Sequence, residues 1–146
     1  MVFQSKFEPK FERVLTAQER LIYQHYFSQQ VLDVARVIEG RTPFWLLKSM
    51  AGVVLGHRIY FRKYAYQAST LIGVELLGHE LMHVAQYLQG MSILKYIWAS
   101  RCGYRKNRYE IEAYQQGATI KTAYIQSKYH QSQLSIKDSL NKHFSI

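Results

Sequence analysis

Five consecutive residues, His79-Glu80-Leu81-Met82-His83, place two imidazoles and a carboxylate at a spacing suited to metal chemistry. On an α-helix, residues four apart sit about one turn apart on one face, so both rings can bind a single Zn2+ at about 2.0–2.1 Å. Glu80 stands about 100° further round the helix. It is too far round to join the pair easily, yet near enough to act as general base on an attacking water. It would then hand the proton to a leaving amine. In a chain of this composition the pattern arises by chance in on the order of one in a hundred shuffled sequences. The plain alternative is a pair of core histidines satisfied by hydrogen bonds.

A catalytic zinc ion takes three protein ligands and keeps one position open. The third ligand must come from outside the pentapeptide. The candidates are His25, His57, His130 and His143, and the carboxylates of Glu75, Glu110 and Glu112. Glu75 lies one turn before His79, where it can orient an imidazole but can hardly close the coordination sphere. Glu110 and Glu112 fall on a later helix that can pack antiparallel to the first.

The elements that must position these groups follow from periodicity and capping. Ser69 or Thr70 can cap a helix running to about Gln89, with Gly90 as its terminator. That helix is apolar nearly all round, which marks the buried centre of a domain. Thr16 and Glu19 have capping-box spacing, predicting a helix over 17–29 with Leu21, Ile22, Tyr26 and Gln29 inward. Residues 31–40 fit either a helical face or strand alternation, with β-branching favouring a strand. Residues 44–50 read as a short apolar helix after the Thr42-Pro43 break. Residues 56–63 read as a strand with Ile59 and Phe61 on one side. Further helices are expected over 92–101 and over 107–128, the second with Ile111, Tyr114, Ala118 and Ile125 on one side.

The chain has 146 residues, 48% hydrophobic and 20% charged, which fits a single folded domain. Its expected core spans about 16–128, with an N-terminal arm over 1–15 and a polar tail over 129–146 as peripheral segments. The lone Cys102 excludes an internal disulfide and lacks any partner at informative spacing. No apolar run is long enough to span a bilayer and the N-terminus lacks a signal-peptide core. The expectation is a cytoplasmic protein, with export that needs no signal peptide left open. The net charge of +9 favours polyanionic partners. Basic-aromatic stretches at 58–66 and 101–109 could meet nucleic acid, but a solvated surface is the preferred reading. The apolar segments 44–47 and 93–98 are expected to pack inside.

Gly78-His-Glu-Leu-Met-His-Val-Ala-Gln-Tyr87, followed by Tyr109-Glu-Ile-Glu-Ala-Tyr114, resembles the minimal gluzincin-type zinc metallopeptidase domains. Within these it is most similar to the zinc-peptidase-like core domain associated with bacterial extracellular contractile injection systems. The resemblance covers about 31–118. It implies an α+β, zincin-like fold: a short sheet on a buried active helix, with a second, Glu-bearing helix. It also turns 31–40 toward strand. It implies zinc-dependent hydrolysis of a peptide or protein, with His79, His83 and Glu110 as ligands of one Zn2+ and Glu80 as base. Glu110 is preferred to Glu112 because it opens the family's Glu-x-x-x-Asp pattern. Tyr114 stands where the family has the Asp that supports a ligand histidine. Gln86 matches a family glutamine that is either a substrate contact or a helix-end amide. The strand over 56–63 would be the edge that pairs with extended substrate, and Tyr104, Tyr109 or Tyr114 could supply a phenol to the developing oxyanion. Two other classes stand beside this one: a scaffold-only binding module without turnover, and association with nucleic acid or anionic surfaces through the basic face.

Overall fold

The computed structural model describes residues 12–143. The N-terminal arm up to residue 11 and the last three residues lie outside the described residues.

The central helix, α3 (Leu71–Leu88), forms as its caps predict. The Thr70 hydroxyl accepts the Gly73 amide at 3.0 Å, and Gly90, at φ +101°, turns the chain away after the last helical turn. Val74, Leu77, Leu81 and Val84 are almost fully buried on it, whereas Leu71, Ile72 and Leu88 at its ends face solvent. It is therefore central only through its middle turns, not all round.

Against it lies a four-stranded mixed sheet. Its strands are β1 (Glu12–Arg13), β2 (Arg36–Glu39), β3 (Gly52–Leu55) and β4 (Arg58–Phe61), in the order β1-β2-β4-β3. β4 runs parallel to β2 and antiparallel to β3, and β1 is antiparallel to β2. Alternation decides the faces: Ile59 and Phe61 are fully buried, and Arg58 and Tyr60 are not. β3 was not anticipated. It joins β4 through a two-residue turn, in which Gly56 takes φ +66°, a conformation open to glycine. The sheet with its helices makes the expected α+β architecture.

Several local expectations need correction. The helix over 17–29 divides into α1 (Ala17–Tyr23) and α2 (Gln29–Val34), because Ser28 caps a new start. The buried face of α1 is Glu19 and Tyr23, not Leu21, which is exposed. Tyr23 is drawn in by its hydroxyl bond to the Val74 carbonyl at 3.0 Å. Residues 31–40 are both things in succession, helix through Val34 and strand from Arg36. The 44–50 stretch is not a helix. The Arg62 guanidinium takes the carbonyls of Leu46, Leu47 and Met50 at 2.6–2.9 Å, so the segment is tied down as turns. Part of the N-terminal arm belongs to the body: β1 pairs with β2, and Leu15 is buried.

Beyond α3, Ser92 caps α4 (Ile93–Ala99). Two short 3-10 turns then lead to α5 (Arg108–His143), which continues well past residue 128. The buried stripe of α5 is Glu110, Ala113, Gly117 and Ile120. The expected side is the wrong one: Ile111, Tyr114 and Ile125 are all more than 40% exposed. Small residues set the contact instead. A Cβ on Gly117 would stand 2.7 Å from the Glu75 carbonyl oxygen, so only glycine lets the two helices cross this closely. No helix among the described residues is long and apolar enough to cross a membrane.

Candidate metal centre

The close α3–α5 crossing brings the first turn of α5 against the middle of α3. His79, His83 and Glu110 meet there, each less than 10% exposed, with one potential ligand atom apiece inside 4.8 Å of the others. The two imidazole Nε2 atoms are 3.1 Å apart. Glu110 presents Oε2 to His79 Nε2 and Oε1 to His83 Nε2, both at 3.3 Å. Ligands at about 2.0–2.1 Å from a tetrahedral ion stand about 3.3–3.4 Å from each other. The nitrogen–nitrogen contact and each nitrogen–oxygen contact lie near that spacing, the two imidazoles meeting different oxygens of the one carboxylate, and nitrogen and carboxylate oxygen are the donor types it takes. The buried His-His-Glu group could hold a metal ion.

Each donor has further contacts behind it. His83 Nδ1 lies 2.8 Å from Gln86 Oε1, so Nδ1 carries a proton and Nε2 is the atom turned inward. Gln86 is itself fixed: its amide donates to the Tyr109 carbonyl at 2.9 Å and to Glu112 Oε2 at 2.8 Å. Gln86 and Glu112 therefore form one relay behind His83. The Tyr114 ring meets the His79 ring edge-on at 4.5 Å between centroids. Tyr96 and Tyr104 donate their hydroxyls to the two oxygens of Glu110, at 2.6 and 2.7 Å. Buried Asn107 locks this corner, capping α5 through the Tyr109 amide and donating to Ser100 and to the Tyr96 carbonyl.

The electrostatics follow from burial and contact. Burial alone would push the Glu110 carboxyl up; hydrogen bonds from His79, His83 and Tyr96 outweigh it and hold the group well below the carboxylate range. For His83 burial disfavours the charged ring, but Glu110 and Glu80 more than offset this and the pKa rises. Glu80 goes the other way: burial raises it, and the two histidines recover only part of the shift.

These groups line one wall of a cavity of about 530 Å3, which Glu80, Tyr96 and Tyr104 share. Its other walls are mostly apolar and come from β3, the 45–50 turns and α4. The strand beside the cavity is thus β3, the edge of the sheet. The strand expected in that role, β4, is interior, because an unforeseen hairpin partner covers it. Glu75 is not at the cluster: it pairs with Lys121 on the flank of the two helices. Among the described residues, His25, His57, His130 and His143 join no such group. Sequence reasoning missed Tyr96. It sits in a segment read as packing, and nothing in its spacing pointed at Glu110.

Residues 27–91 match the family model of the eCIS core domain, a stretch that carries both histidines and Glu80 and stops short of Glu110. The similarity to that family thus rests on α2, most of the sheet and α3. No curated protein and no solved structure matches the chain.

Proposed function

We propose that the chain is a zinc-dependent peptidase of the gluzincin type. One observation carries the reading: His79, His83 and Glu110 are buried together with one potential ligand atom apiece within 4.8 Å of the others, and Glu80 lines the cavity they border. His79, His83 and Glu110 would hold the ion. When bound, Zn2+ supplies Lewis acidity toward a scissile carbonyl and makes water acidic enough to attack near neutral pH. The remaining roles fall to the chain itself. Glu80 takes the proton from the attacking water at its carboxylate and returns it to the leaving amine. Its burial raises its basicity for that work. Gln86 keeps the proton of His83 on Nδ1, and Tyr96 and Tyr104 fix the Glu110 carboxylate. The outer edge of β3 offers backbone groups to an extended peptide lying in the cavity.

The test compares purified wild type with Glu80→Gln and His83→Ala, measuring bound zinc and cleavage of unfolded protein. Glu80→Gln should keep its zinc and lose about 10²–10⁴-fold in hydrolysis. His83→Ala should lose both. Equal zinc in wild type and His83→Ala would overturn the ligand set. A second reading, a metal-bearing binding module without turnover, is favoured by Tyr114, which gives His79 a ring edge where the family gives a carboxylate. Wild type as inert as Glu80→Gln on varied substrates, with zinc in both, would select it.

A further inference from the structure

The apolar segments expected inside are outside. No residue of α4 is buried. Ile93, Leu94, Ile97 and Trp98 are each more than half exposed, and in the nearby turns Phe44 is 99%, Trp45 53% and Leu47 66% exposed. These two segments meet at the cavity, which exposed Trp45, Leu47, Ile93 and Ile97 all line. The adjoining face of α4 borders a second depression, in which Leu94 and Trp98 stand among Lys95, Arg101, Lys106 and Arg108. One apolar surface, containing both tryptophans of the chain, thus runs into a basic border. Within the segments 41–50 and 92–108 there is no acidic residue at all. Between residues 41 and 109 the acids are Glu75, paired with Lys121, and Glu80, buried in the cavity.

We infer that this face docks on an anionic lipid surface. Bare apolar area of this kind on a described face marks an interaction site. The mixture of residues selects the partner. Tryptophan, phenylalanine and branched aliphatics enter the headgroup and acyl boundary, while lysine and arginine stay at the level of lipid phosphates. Arg101 already lies over the Trp98 ring at 4.6 Å and bonds the Trp98 carbonyl, so its charge is held beside the ring that would insert. A nucleic acid would meet the positive border but give Ile93, Leu94 and Ile97 nothing to bury against. An acidic protein would need a complementary shape, whereas a bilayer supplies a charged layer over an apolar one along its whole surface. Docked in this way, the mouth of the cavity opens at the membrane. The inference does not depend on the metal or on hydrolysis.

Tryptophan emission tests it directly, because Trp45 and Trp98 both lie in the patch. The full chain is titrated with vesicles of phosphatidylcholine alone and of phosphatidylcholine with 30% phosphatidylglycerol by design, and association is confirmed by flotation. Anionic vesicles should shift the emission to the blue and bind roughly ten-fold or more tightly than neutral ones. Raising the salt should weaken the binding. Leu94→Ala with Trp98→Ala, both exposed and therefore compatible with the fold, should lose roughly ten-fold in partitioning, read by flotation. Lys95→Glu with Lys106→Glu should abolish the preference for anionic lipid. Circular dichroism checks that both variants fold. No association with anionic vesicles at low salt would overturn the inference. So would undiminished binding by the Leu94/Trp98 variant, or retention on poly-glutamate or duplex DNA without binding to vesicles.

Discussion

Glu19 and Glu110 are the two most deeply buried carboxylates among the described residues, at 2% and 3% exposure, and they have opposite surroundings. Glu19 receives both terminal guanidinium nitrogens of Arg13 at 2.9 and 3.0 Å, the Thr16 amide at 2.8 Å and the Tyr66 hydroxyl at 2.7 Å. Its counter-charge is permanent, since a guanidinium does not titrate in a protein. It ties β1, the start of α1 and the chain before α3 together, and its chemistry is closed. Glu110 receives two tyrosine hydroxyls and faces two imidazoles, whose charge depends on their protonation. With His83 Nδ1 bonded to Gln86, Nε2 faces the carboxylate and can give up its proton, so this partner is no fixed cation. Burial of an acid does not mark a functional site by itself. What sets Glu110 apart is the absence of a permanent positive charge among these partners, together with an adjoining cavity.

The sharpest way to break this contrast is to neutralise each acid in turn. Glu110→Gln should lower bound zinc from one equivalent to almost none, and hydrolysis with it, while the metal-free fold persists. Glu19→Gln should keep full zinc and instead lose about 2 kcal/mol of stability. It removes the charge that Arg13 compensates while leaving the hydrogen-bonding shape. Metal analysis of the purified variants, beside urea unfolding of both, separates the two effects. Loss of zinc in Glu19→Gln without unfolding would erase the distinction.

A subtler change acts behind the metal group. Gln86→Leu removes the acceptor that fixes the His83 tautomer, and should weaken zinc affinity by about 10–100-fold. Glu112→Ala removes only the far end of that relay, since Gln86 retains the Tyr109 carbonyl, and should matter less. Competition with a chromophoric chelator measures both. An affinity for Gln86→Leu equal to wild type would mean that packing alone orients the ring.

What was legible in the sequence divides along the same line. The His79–His83 helix with its caps could be read because i, i+4 spacing and capping are local rules, and Thr70 and Gly90 obey them. Glu110 rested on a resemblance, because its approach to α3 depends on Gly117 thirty-eight residues beyond His79. Ordinary hydrophobic periodicity pointed to Ile111 and Tyr114 instead, and so to the wrong face of α5. The 44–50 stretch failed for a related reason: Arg62, distant in sequence, captures its carbonyls. Tyr96 could not be found at all, since its role exists only once α4 folds over Glu110. Glu19 was legible as half of a capping box but not as a buried ion-pair partner, because Arg13 was assigned to a peripheral arm.

Acid titration gives the smallest of these effects and bears on Glu19 alone. Burial by itself would raise its pKa, but the Arg13 guanidinium, the Thr16 amide and the Tyr66 hydroxyl outweigh that cost and the folded value is lowered. A carboxyl whose folded pKa lies below its unfolded value of about 4.3 contributes stability that is full above that value. The contribution disappears as the pH falls through the lowered folded value. The stability difference between wild type and Glu19→Gln should therefore be constant from neutrality to about pH 5 and shrink below about pH 4. Urea unfolding of the metal-free pair at several pH values measures it. Every other ionisable group is common to both chains, so its contribution cancels in the difference as long as it is independent of Glu19. A difference that grew on acidification would mean that Glu19 is held protonated in the fold, and the Arg13 guanidinium would then compensate no charge there.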